Sequence, residues 1–142
     1  MIFDTWGGLL SGDNYEKFSL NYIQKIISST YTEGVPVIYY SRSKSNFDKL
    51  KNLDIDCIGI SSENNLGDIY KFFDEKFAIQ GNLNTDILRE NKDTIKKGVI
   101  QTLETFPFKT GHVFNLGTGI TPDIHPDKVS YLVDQVRELS VK

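Results

Sequence analysis

The chain has 142 residues, enough for one domain with a buried core, and its 39% hydrophobic and 25% charged content is that of a globular protein. With 16 basic against 19 acidic residues the net charge is −3, which offers no basic face for nucleic acid. A lone cysteine, Cys57, cannot form an internal disulfide, and two histidines far apart in sequence give no zinc spacing. No stretch approaches the length of a membrane span and none resembles a secretion signal, so the expected compartment is the cytoplasm.

Short apolar runs then alternate with helical patterns. The first predicted strand is Ile2 to Thr5. Asp13 is suited to capping a helix, and after it Tyr15, Phe18, Tyr22, Ile23, Ile26 and Ile27 recur as one buried stripe. Gly34 fits a helix exit leading into the second strand, Val35 to Tyr40. Phe47, Leu50 and Leu53 predict a shorter helix, followed by the third strand, Cys57 to Ile60. Within that run Cys57 reads as a small buried hydrophobe. Leu66, Ile69, Tyr70 and Phe73 predict another helix, and Phe77 to Gln80 the fourth strand. Ile95, Val99, Leu103 and Phe106 repeat the helical pattern before the fifth strand, His112 to Leu116. Pro126 opens the last helix, whose apolar positions are Val129, Leu132, Val133, Val136 and Leu139.

The strands are mostly continuous apolar runs, as expected of a parallel sheet covered on both faces. Five strand-then-helix units without a linker or repeat make residues 1–142 one piece of one α/β architecture with right-handed crossovers. An open, doubly wound sheet can stand with five strands, whereas a barrel needs eight. In a barrel segment both outer strands lack a neighbour, and Ile2, Phe3, Val113 and Phe114 give those edges no protection. The expectation is therefore a truncated chain.

Function in parallel α/β folds collects at the carboxyl ends of the strands. Here those ends read Asp4-Thr5-Trp6-Gly7-Gly8, Tyr40-Ser41-Arg42-Ser43-Lys44, Ser61-Ser62-Glu63-Asn64, Gln80-Gly81-Asn82-Leu83-Asn84 and Asn115-Leu116-Gly117-Thr118-Gly119. Taken alone, Thr5 is a turn cap and Asp4 an orienting group for the Gly7-Gly8 turn, without a partner carboxylate for acid–base work. Arg42 and Lys44 can reach an anionic ligand, although loop cations are usually solvated. Pro122 and Pro126 separate Gly117-Thr118-Gly119 from the next helix, which disfavours a phosphate cradle; glycines that permit positive φ are the simpler account. Tyr39-Tyr40 and Phe72-Phe73 read as packing aromatics, and His112 and His125 as surface or capping residues.

Three of these segments carry a resemblance. Ile2-Phe3-Asp4-Thr5-Trp6-Gly7-Gly8, Gln80-Gly81-Asn82-Leu83 and Gly111-His112-Val113-Phe114-Asn115-Leu116-Gly117-Thr118-Gly119-Ile120 are similar, in order and spacing, to strand-end motifs of uroporphyrinogen decarboxylase. Gly34-Val35-Pro36-Val37 is similar as well. The resemblance implies five consecutive βα units from the C-terminal part of a (β/α)8 barrel. It implies loss of the four acetate carboxyls of uroporphyrinogen to give coproporphyrinogen, without metal or organic cofactor, in a homodimeric enzyme.

For the site, the resemblance implies that Thr5 offers a hydroxyl to a substrate carboxylate, that Phe3 lines the pocket, and that Thr118 stands where the family usually has histidine. Asp4, Asn82, Gly117 and Arg42 are further pocket candidates. The family's catalytic aspartate and principal arginines precede this segment, so no catalytic residue is expected within it. The chain departs from the pattern at Ser61-Ser62, where Asp-Trp is usual, and at Asn84-Thr85, where Asp-Pro is usual. Two rival readings are a non-catalytic small-molecule-binding α/β module and a zinc-dependent methyltransferase of the same superfamily. The methyltransferase needs a His/Cys ligand set, and Cys57 has no Cys or His at ligand spacing.

Overall fold

The computed structural model describes residues 1–30, 33–42 and 46–140. Five strands form one sheet: β1 (Ile2–Asp4), β2 (Ile38–Ser41), β3 (Cys57–Ile60), β4 (Ala78–Leu83) and β5 (His112–Leu116). Between them lie α1 (Gly12–Tyr15), a π-helical turn (Glu16–Leu20), α2 (Asn21–Thr30), α3 (Phe47–Leu50), α4 (Leu66–Phe72) and α5 (Lys92–Glu104), and α6 (Pro126–Leu139) follows the last strand. Short 3₁₀ turns occupy Gly7–Leu9 and Thr85–Arg89.

All neighbouring strands are parallel and their order is β1-β2-β3-β4-β5. That order decides between the two architectures. Crossovers of one hand keep every connection on one face when the order never reverses, and a doubly wound sheet needs a reversal. The chain is five consecutive βα units of barrel type, and the open doubly wound module expected as a rival does not match this order.

The helix-covered face is packed. Tyr39, Ile58, Ile60, Phe77 and Ile79 share a cluster with Tyr15, Ile23, Ile27, Leu50, Leu66, Tyr70 and Phe106. A second cluster joins Leu83, Leu88, Ile95, Val99, Ile124 and Leu132, with Phe114 and Leu116 packed against it. The opposite face is open at both edges, where Phe3 is 69% and Val113 44% exposed. The sheet curls about that open face: Gln80 Nε2 on β4 lies 3.8 Å from Met1 Sδ, which immediately precedes β1.

Three sequence expectations are corrected. The α1–α2 stripe buries Tyr15, Ser19, Leu20, Ile23 and Ile27, while Phe18, Tyr22 and Ile26 are exposed. The π turn inserts one residue between Tyr15 and the rest, rotating Phe18 and Tyr22 off the core. Lys17 and Lys25 lie over the exposed Phe18 and Tyr22 rings at 5.2 and 5.6 Å. The second strand begins at Ile38 rather than Val35, because Pro36 has no N–H and the Val37 amide donates to Asp56 Oδ2 at 2.7 Å. The fourth strand runs on to Leu83, where its register with Leu116 takes Asn82 and Leu83 into the ladder.

Helix starts follow side-chain caps at Asn65, Asn91 and His125; the His125 ring accepts from the Asp127 amide, a capping role expected of it. Asp13, the expected cap, lies in the first turn of α1, and the cap position falls two residues earlier at Ser11. Among the described residues no helix is long and apolar enough to cross a membrane.

Candidate functional site

A pocket of about 510 Å³ opens on the concave face at the carboxyl ends of the strands. Phe3 and Thr5 enter it from the end of β1, Tyr40 and Arg42 from the end of β2, and Asn115 to Ile120 from the end of β5. Phe3, Thr5, Arg42, Gly117 and Thr118, five residues singled out in the sequence, thus meet around one space. β1 and β5 are the two outermost strands, so only the curl of the sheet brings Thr5 and Thr118 together. Lys44, the other expected cation, falls outside the described residues.

The remaining two candidates do not line this pocket; each serves it from beneath. Asp4 accepts three hydrogen bonds: the Gly7 amide on Oδ1 at 2.9 Å, and Ser19 Oγ and the Tyr39 hydroxyl on Oδ2 at 2.6 and 2.8 Å. The Tyr15 hydroxyl lies 2.8 Å from that of Tyr39. Burial, the two hydroxyls' mutual contact and the Asp4 carboxylate push the Tyr39 pKa far up, and burial raises that of Tyr15, so both stay protonated. Asp4 therefore orients the turn after β1, as its place before Gly7-Gly8 suggested. A Cβ at Gly7 would stand 2.1 Å from the Asp4 carboxylate oxygens, so a larger residue there would displace the carboxylate from its three partners. Asn82 is buried, its amide donating to the Ser61 carbonyl at 2.8 Å and the Asn64 carbonyl at 2.6 Å, which ties the end of β4 to the turn after β3. The Gly81–Asn82 peptide bond is cis.

The segment after β5 is held by three residues. The Tyr40 hydroxyl donates to the Gly117 carbonyl at 2.9 Å, and the Gly117 amide to the Leu83 carbonyl at 2.8 Å. Thr85 Oγ1 donates to the Thr118 carbonyl at 2.9 Å and lies 2.9 Å from Thr118 Oγ1. Farther along, Arg89 reaches Asp123 Oδ2 at 2.7 Å and Thr121 Oγ1 at 2.9 Å, and the Asp123 carboxyl is pulled down to about 2 chiefly by that guanidinium.

Gly117 is glycine for space rather than for positive φ, the reason expected from the sequence. Its φ is not among the positive ones, and a Cβ there would come within 2.5 Å of the Ser62 backbone nitrogen. Ser62 is the surface on which the loop packs.

Sequence reasoning missed Tyr40, which read as packing bulk. It is half-buried, lines the pocket and stacks obliquely on Phe3 with ring centres 6.0 Å apart. Alternation along β2 carries the signal: Tyr39 faces the helices and Tyr40 the other side. Thr85 was also missed, because nothing in a 3₁₀ turn after β4 announces contact with a loop 33 residues later.

Among the described residues Arg42 is the one charged side chain lining the pocket, its guanidinium 6.0 Å from the Trp6 ring centre, and no carboxylate of theirs lines it. With two hydroxyls and an amide beside that cation, the wall suits a ligand that is anionic at its rim and apolar where it meets Phe3, Leu116 and Ile120. Cys57 is 4% exposed, and burial pushes its thiol up to about 11, the reverse of what a metal-binding thiolate requires. Among the described residues no three His, Cys, Asp or Glu side chains converge as a metal site.

The chain matches the family model described as uroporphyrinogen decarboxylase (URO-D) over residues 1–139. A uroporphyrinogen decarboxylase of Legionella pneumophila (strain Corby) is 36% identical over 143 residues, covering 99% of this chain and 41% of the relative. One from Vesicomyosocius okutanii is 38% identical over 143 residues, with the same two coverages of 99% and 41%. The chain thus spans about 41% of the length of these relatives. A solved structure described as a methyltransferase from Methanosarcina mazei superposes with a TM-score of 0.78 at 19% identity, over 96% of this chain and 41% of that one. At that identity the likeness concerns the fold.

Proposed function

Because the chain belongs to the uroporphyrinogen decarboxylase family, we propose that it forms part of the substrate pocket of a uroporphyrinogen decarboxylase. The observation that carries this reading is the convergence of Thr5 and Thr118 from the two outermost strands onto one pocket with Phe3 and Arg42. In the family's chemistry a pyrrole ring is protonated, and the cationic ring takes up the electron pair released when an acetate carboxyl leaves as carbon dioxide. Groups that stabilise that charge act at the ring, whereas the residues here suit the rim.

Arg42 pairs with a side-chain carboxylate of the macrocycle, and the Thr5 and Thr118 hydroxyls donate to others. Phe3 and Tyr40 present ring faces to the pyrroles. The proton-handling aspartate and the principal arginines lie outside these residues, so the chain alone binds and does not turn over. The intact enzyme on this reading is a cytoplasmic homodimer.

Fluorescence titration of the purified chain with uroporphyrin, the stable oxidised octacarboxylate, tests the reading. The expected result is saturable binding, weakened about tenfold by Arg42→Ala, as loss of one charged hydrogen-bonding partner would give. Absence of saturable binding, or equal binding by Arg42→Ala, would overturn it. Release of carbon dioxide from uroporphyrinogen by the chain alone would refute the assignment of catalysis to other residues.

A further inference from the structure

From the contacts beneath the pocket we infer that Thr85 is a positioning residue, which holds the Thr118 hydroxyl in place for a ligand carboxylate. The inference rests on the pocket proposed above but concerns a residue that does not line it. Thr85 is 6% exposed, whereas Thr118 is exposed to the pocket.

Proton counting assigns the bonds. A hydroxyl has one proton, and that of Thr85 is given to the Thr118 carbonyl, so the contact between the two hydroxyls is made by the Thr118 proton. Thr85 thereby grips Thr118 at two points, one on the backbone and one on the side chain. When a carboxylate arrives, the Thr118 proton turns to it and the Thr85 proton turns from the Thr118 carbonyl to the Thr118 hydroxyl oxygen, so one hydroxyl-to-hydroxyl bond holds Thr118 in either state. The ligand finds a donor whose carbon frame is already placed, and the ordering cost is met within the free protein.

By the resemblance described above, the two partners also stand at positions where this chain departs from the usual residues: Thr85 where proline is usual, which has no side-chain donor, and Thr118 where histidine is usual. The two departures are the two ends of one hydrogen-bonded pair. Each makes sense given the other: a hydroxyl at 118 is shorter than an imidazole and cannot select its own direction, and the hydroxyl at 85 selects it. The grip at this corner then involves no group that titrates near neutral pH.

A double-mutant cycle on the full chain tests this, with uroporphyrin as the probe. Thr85→Val preserves shape and removes the hydroxyl; Thr118→Val does the same on the other side. Each is expected to weaken binding about five- to tenfold, and the double variant no further than the weaker single one, because the pair acts as a unit. Thr85→Ser restores the hydroxyl and is expected to restore affinity to within about twofold of the wild type. Thr85→Val combined with Arg42→Ala is expected to multiply the two losses, since the Arg42 contact is separate. Wild-type affinity in Thr85→Val, losses that multiply in the Thr85→Val/Thr118→Val chain, or no rescue by serine would each overturn the inference. Failure of the wild-type chain to bind would instead sink the pocket assignment, so the two claims fail by different results.

Discussion

The Tyr15–Tyr39–Asp4 chain makes a prediction with a direction built into it. Tyr39 donates to Asp4 Oδ2 at 2.8 Å, and a tyrosine has one proton, so Tyr15 must be the donor in the 2.8 Å contact between the two hydroxyls. Tyr39→Phe deletes a bond to a carboxylate and takes from the Tyr15 hydroxyl, in a residue 0% exposed, its acceptor on Tyr39, leaving Ser19 as its neighbour. A hydrogen bond to a charged group contributes about 1.5–3 kcal/mol and the weakened bonding of a buried hydroxyl adds to that, so the loss is about 3 kcal/mol. Tyr15→Phe removes only the terminal donor and leaves the Tyr39–Asp4 bond intact, for about 1 kcal/mol. At roughly 4 °C per kcal/mol for a chain of this size, the melting temperatures fall by about 12 and about 4 °C respectively. Urea unfolding followed by far-ultraviolet circular dichroism measures both. Equal losses, or a larger one for Tyr15→Phe, would show that the proton runs the other way and that Asp4 is not its terminus.

Two other outcomes follow from buried groups. His112 donates through Nε2 to the Gly81 carbonyl at 2.8 Å, and burial lowers its pKa below the ordinary 6.5. The folded chain then binds fewer protons than the unfolded one at acid pH, so the His112 contribution is complete above pH 6.5 and is lost as pH falls below it. Unfolding free energies measured at pH 7, 6 and 5 should drop more steeply for the wild type than for His112→Gln; parallel slopes would contradict this. Cys57, 4% exposed with its thiol pushed up to about 11, should resist a disulfide reagent at pH 8 in the native chain and react one to one in denaturant, and stoichiometric reaction without denaturant would place β3 elsewhere than in the core.

Most of the sheet was legible because its signal is local. Cys57–Ile60 and His112–Leu116 are strands at the predicted bounds, since continuous apolar runs between turn residues leave little choice. The curl was legible only indirectly, through polar and glycine-rich strand ends that make sense if they share a mouth. What escaped was everything decided by long-range contact or by one inserted residue. The π turn shifts the face of α2 without leaving a mark in composition, so Phe18, Tyr22 and Ile26 read as core. Gly117 was recognised as a required glycine for the wrong reason, because the nearness of Ser62 is a tertiary fact. Thr85 stood out only as a departure from the resemblance and not as a site residue, although it is buried against the loop that matters most.

The bond from the Tyr40 hydroxyl to the Gly117 carbonyl runs from the second strand to the segment after the fifth, past the ends of two others. It is a chord drawn across an arc. A ring of staves ordinarily keeps its bend because the last stave meets the first; here the Tyr40 phenol, with Gly117 seated on Ser62, braces the bend from inside, beside the ties that Leu83 and Thr85 make to the same loop.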